Sequence, residues 1–225
     1  MKNKSFFSKI NSARLVAIIF SILAGVGGIT HGIGELLQGN SSTKGIFILS
    51  WAQGPIATNM GGDPAMTIVP NFLITGILAI LFSLVIILGS FVFIKKKNGG
   101  LILIILSIFM LLFGGGFAPV VVGILAGVSG LGINSNHKWY RKYIPNQIQR
   151  LFSKLWNVIF IICLIDGIFL TFGSVILVGI FNLNQPDLFV KSFLFLIPLL
   201  LLTIFTGIAY DLQNKSKKPQ RTRTP

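Results

Sequence analysis

His31, Glu35 and Gln38 stand four and three residues apart in the stretch GGITHGIGELLQG, residues 27–39. On a helix that spacing places all three on one face. An imidazole and a carboxyl within reach of each other can pass a proton, hold a cation, or lock each other by a hydrogen bond. The setting makes them conspicuous, because they close an apolar run that begins at Leu15. A fourth polar residue, Asp166, lies between the apolar Ile161–Ile165 and Ile168–Leu170. An ionisable group in hydrocarbon costs at least about 2.5 kcal/mol, so each of these residues has to face protein or water rather than lipid. Together His31, Glu35, Gln38 and Asp166 form a candidate polar cluster, a path for an ion or solute.

The chain that must position them has 225 residues, 53% hydrophobic and 11% charged, with a mean hydropathy of +0.83. A soluble domain of that size needs far more charged surface, so the composition specifies an all-α integral membrane protein. Nineteen Lys and Arg against five Asp and Glu give a net charge of +14. The basic residues sit in short segments beside apolar runs, where they record orientation; no nucleic-acid partner is expected. The single cysteine, Cys163, excludes an intrachain disulfide and a cysteine metal site, and is expected to be a small core residue. The Ile, Lys and Asn content fits an AT-rich prokaryotic genome.

Apolar runs divide the chain. A basic segment (1–14) precedes a first span at 15–38, which resembles a signal peptide but lacks a clean cleavage site and is read as retained. An extracytoplasmic loop (39–69) and a second span (70–94) follow. The next region, 99–130, is broken at Gly114–Pro119, where Gly114, Gly115, Gly116 and Pro119 are poor material for a helix interior. Further spans are expected at 157–181 and 190–211, before a disordered basic tail (212–225). If 99–130 returns to its starting side, seventeen basic residues are cytoplasmic and two are not; a single crossing gives eight and eleven. The positive-inside rule therefore selects a helical hairpin, re-entrant or short, with both termini cytoplasmic in the cell membrane. The expected architecture is four full transmembrane helices plus the hairpin, six helices in all.

Counted from the cytoplasmic end, His31 lies about 24 Å deep, Glu35 about 30 Å and the glycine apex about 20 Å, with Asp166 only about 14 Å deep. An outer vestibule lined by His31, Glu35 and open glycine backbone is expected, with Asp166 at its floor. In the loop, GIFILSW (45–51) is too apolar to be solvated and should fold back over the span mouths, and Asp63 should cap a helix begun by Pro64. The pairs Gly28/Gly32 and Gly123/Gly127 would permit close helix approach. The segment 139–156 reads as an amphipathic stretch on the cytoplasmic interface, with Trp139, Tyr140, Arg150, Lys154 and Trp156 as anchors toward anionic lipid.

Chemistry-bearing motifs are few. HExxH, GxSxG, the P-loop and the Rossmann glycines are absent from the sequence, and His31 with Glu35 supplies two of the three ligands a catalytic zinc usually needs. No catalytic residue, metal or cofactor is therefore expected. Two functions remain: a channel or carrier-like subunit using the polar cluster, or a non-catalytic scaffold acting through a membrane partner or a second copy. The topology has a direct test. With Cys163 replaced by Ser, a cysteine at position 135 should resist a membrane-impermeant thiol reagent added outside intact cells; labelling there would establish the single crossing instead.

Overall fold

The structure, a computed structural model, describes residues 11–216. Four helices are long and apolar enough to cross a membrane, spanning residues 12–36, 72–95, 146–180 and 186–214. Most of the expected basic N-terminal segment and of the expected tail lies outside the described residues. The described part of that tail is helical, because the last long helix continues to Ser216.

Helix α1 (Ser12–Leu36) is the axis of the fold. In its most apolar stretch 61% of residues are buried, against 33% or less in the other three long helices. Its buried side is built from small residues, among them Ala17, Ser21, Ala24, Gly28 and Gly32. Helix α3 (Phe72–Val92) packs along one side of α1, and α5 (Phe117–Leu131) along the other. At the α1–α3 crossing, a Cβ on Gly32 would stand 2.8 Å from the carbonyl of Gly76. Both glycine pairs predicted from the sequence face partner helices, Gly123 meeting Ser107 and Gly127 meeting the carbonyl of Gly100.

Helix α4 (Gly99–Leu112) and α5 form the broken hairpin, as two short apolar helices. Between 36 and 72 lie the short helix α2 (Gly54–Met60) and an antiparallel strand pair, β1 (Phe47–Leu49) and β2 (Pro64–Met66). Here the sequence expectation fails: Pro64 begins a strand, not a helix. Its residues pair with the apolar GIFIL segment, which brings that segment onto the helix ends and satisfies backbone groups that a free loop would expose.

Helices α6 (Lys138–Tyr143), α7 (Asn146–Gly173) and α8 (Pro186–Ser216) complete the fold, α7 ending in a π-helical turn at Ser174–Ile180. The amphipathic segment does not lie apart. From Asn146 it runs unbroken into α7, with Ile148, Leu151 and Leu155 outward and Gln149 and Trp156 inward. Two expected lipid anchors are thereby corrected. Trp156 stacks on Phe160 and Tyr210 inside the core, and Tyr140 is fully buried, its hydroxyl donating to the Phe205 carbonyl at 3.1 Å. The Tyr140 hydroxyl is satisfied by that carbonyl, whereas Trp156 is held by ring packing, its buried Nε1–H having no partner. Burial pushes the Tyr140 hydroxyl up to about 12, which keeps it a donor. Trp139, Arg150 and Lys154 are exposed.

The two ends of the molecule are tied differently. At one end Asp211 accepts from the Ser12 N–H at 3.0 Å and from the Ser12 hydroxyl at 2.7 Å, so the last helix closes the first turn of α1. At the other end the strand pair joins the hairpin apex: Gly114 donates to the Met66 carbonyl at 2.8 Å and Ile68 to that of Leu112 at 3.0 Å. The close α4–α5 seam gives a stability test. A Cβ at Gly100 would run into the backbone of Gly127, Gly130 and Leu131, so Gly100→Ala should cost about 1–3 kcal/mol and lower the thermal midpoint in detergent.

Candidate functional site

The last two turns of α1 present His31 and Glu35 to the apex of the α4–α5 hairpin and to the strand pair above it. Both side chains are buried, Glu35 completely. Between them stands a residue from the loop: Ser50, also fully buried, donates its hydroxyl to Glu35 Oε1 at 2.9 Å and lies 2.9 Å from His31 Nδ1. The other ring nitrogen, His31 Nε2, is 3.3 Å from Asp63 Oδ2. The four side chains thus form a continuous line: Asp63, His31, Ser50, Glu35.

Gln38 fixes the line from behind. Its amide donates to the carbonyls of Leu49 at 2.9 Å and Ser50 at 2.8 Å, and Ser50 N–H donates to the Asp63 carbonyl at 2.9 Å. Those bonds set the end of β1 so that the Ser50 hydroxyl points back at α1. The apex supplies the opposite wall. Gly114 and Gly116 hold φ of 92° and 78°, and a Cβ at Gly114 would fall on the Glu35 carboxyl, one at Gly116 on the His31 ring. Glycine is required at both on two counts, backbone conformation and space. Gly115 N–H donates to the Met110 carbonyl at 2.8 Å. The apex is therefore sealed by protein, and the open glycine backbone expected in a vestibule is corrected: Gly114, Gly115 and Gly116 are buried.

Proton counting constrains the line. Two hydrogen bonds and the Nε2–Asp63 approach make three junctions, and a bare ring nitrogen facing a carboxylate at 3.3 Å would be repulsive. Three junctions need three protons. Ser50 brings one and a neutral imidazole another; the third rides on the imidazole or on one carboxyl. With three protons the line carries a net charge of −1, whichever group holds the third.

Beside this line is a cavity of about 350 Å³. Helices α1 and α5 form one wall, including His31, Thr30 and Phe117; α7 and α8 form the other, with Leu170, Phe189 and Phe193; the Met60–Pro64 turn with Asp63 is the roof. Below it Phe20, Leu23, Phe160 and Leu196 belong to one buried cluster that closes the way down. His31 and Asp63 reach the cavity, whereas Glu35 and Ser50 do not. The Asp–His–Ser order invites comparison with a nucleophilic triad, but the Ser50 hydroxyl is sealed and directs its proton to Glu35.

Asp166 is not brought to this site. It accepts from the Ser192 hydroxyl at 2.5 Å and joins α7 to α8, its second oxygen buried without a partner. Its neighbour Gly167 lines the cavity instead. Pro119 opens α5 against Gly27. Ser50 and Asp63 are the members that sequence reasoning missed. The available signals were small: Ser50 is the polar residue of an otherwise apolar segment, and Asp63 is the single acid of the loop. No protein-family model, curated protein or solved structure matches the chain.

The line can be tested by removing its hinge. Ser50→Ala leaves His31 Nδ1 and Glu35 Oε1 buried without their bridge, and should cost about 1–3 kcal/mol in thermal unfolding. Gly116→Ala should cost more, since it strains the backbone and displaces the His31 ring together.

Proposed function

We propose that this protein is a carrier-like, multi-pass membrane protein that binds a small solute in the cavity and couples its occupancy to a proton on the Asp63–His31–Ser50–Glu35 line. The supporting observation is the line itself: it runs from two side chains at the cavity to a carboxyl wholly enclosed by protein. A purely structural contact would not need its outer end at a cavity. The closed cluster below the cavity favours binding and release over an open channel.

In this reading the termini are cytoplasmic, the cavity belongs to the outer half, and the basic ends of the helices rest on anionic lipid. On the same reading the cavity binds its solute without chemical change. Among the described residues no group of three His, Cys, Asp or Glu could hold a metal ion.

The test needs no knowledge of the solute. In lipid nanodiscs the infrared carboxyl bands are followed while the external pH is stepped. A band removed by Glu35→Gln should respond to the step in the wild type and cease to respond in His31→Phe, which breaks the line between cavity and carboxyl. An unchanged response in His31→Phe would mean that Glu35 exchanges protons by another route, and the scaffold function would replace the carrier.

A further inference from the structure

The cavity also carries information about what enters it, on the premise of the proton line proposed above. Its walls are mainly apolar and aromatic, with Phe117, Phe189 and Phe193, and carry three hydroxyl residues, Thr30, Thr171 and Ser174. No Lys or Arg lines it. The groups that face the line can be named element by element. Helix α1 gives His31 and Glu35, the end of β1 gives Ser50, the roof gives Asp63, and the apex gives glycine backbone. Helices α7 and α8 line the cavity with no titratable side chain; Asp187 and Lys191 on α8 are exposed outside it.

The charge balance follows. With three protons the line holds −1. The N-terminus of α5, which begins beside His31, offers partial positive charge, and the C-termini of α1 and α4 at Glu35 offer partial negative charge. Negative charge therefore remains uncompensated at one end of a largely apolar space. A wholly neutral ligand leaves that charge unanswered, and an anion worsens it. A cation with an apolar body answers it, its charge at Asp63 and its body against the three phenylalanine rings, which also attract cations through their faces. At 350 Å³ the space lies near the small end of small-molecule sites, about 300–1,000 Å³.

We infer that the cavity binds a compact organic cation with an apolar body, and that it does so in exchange for one proton. As the cation pairs with the Asp63 carboxylate it replaces His31 Nε2 as that carboxylate's partner, and the proton held between Asp63 and Nε2 leaves to water through the cavity mouth, where Asp63 is partly exposed. Charge balances: three protons and no cation give −1, two protons and one cation give −1. No bond to carbon is made or broken.

Three probes that share a benzyl body decide this, added to the full-length protein in nanodiscs in weakly buffered solution. They are benzyltrimethylammonium, its uncharged carbon isostere neopentylbenzene, and phenylacetate as the anion. The cation should bind at least about tenfold more tightly than the neutral isostere. It should also release about one proton per cation bound, read from the pH of the medium. Asp63→Asn, which keeps the backbone carbonyl that Ser50 uses, should bring the cation and the isostere to equal affinity and abolish the release. Equal or tighter binding of the isostere or of phenylacetate by the wild type overturns the cation assignment, whatever the infrared response of Glu35 shows. Preferential cation binding without proton release leaves the cation assignment standing and overturns the exchange, and with it the proton line as a coupling device. Because the wild-type comparison decides both points, a failure of Asp63→Asn to fold does not remove the test.

Discussion

Everything around the site depends on one constraint: a helix that carries ionisable side chains at membrane depth must be enclosed by protein on the faces that bear them. Helix α1 meets it by being small where it touches its neighbours. Alanine, serine and glycine along its buried side let α3 and α5 close on it, and the hairpin apex close on its last turns. The Ser50 hydroxyl then bridges His31 Nδ1 and Glu35 Oε1, while Glu35 Oε2 is buried without a partner. The same closeness makes the apex glycines irreplaceable, since the walls of the site are backbone.

The acids of the chain follow from this. There are five, and three of them engage α1: Glu35 from within it, Asp63 against its histidine, Asp211 at its first turn. A carboxylate at the start of a helix meets the positive end of its dipole, so Asp211 stabilises α1 where the chain enters the fold. Asp166 serves the α7–α8 pair. The two helix groups are therefore locked together at one end, where Asp211 of α8 holds Ser12 of α1, and part around the cavity, where the packing is largely apolar and leaves room.

The spans were legible in the sequence because hydrocarbon imposes length and composition on each of them without reference to its neighbours. The break at Gly114–Pro119 was legible for a similar reason, as local backbone chemistry. His31, Glu35 and Gln38 could be picked out by type and spacing on one helix. Their partners could not. Ser50 and Asp63 come from a loop whose strand pairing is a tertiary event, and the sequence around Pro64 fits a helix start as well as a strand. Trp156 and Tyr140 misled in another way: amphipathic aromatics suit an interface and a satisfied core equally, and only packing decides which.

The proposed coupling stands on His31 and Glu35 sharing protons through Ser50. Nitrogen-15 NMR of the His31 ring across pH, in the wild type and in Glu35→Gln, reads that sharing most directly. Coupled groups titrate in joint steps. With shared protons, the ring signals of the wild type change in two steps and those of Glu35→Gln in one. Superimposable single-step curves in the two proteins would contradict the sharing, and would leave the line as a set of static contacts.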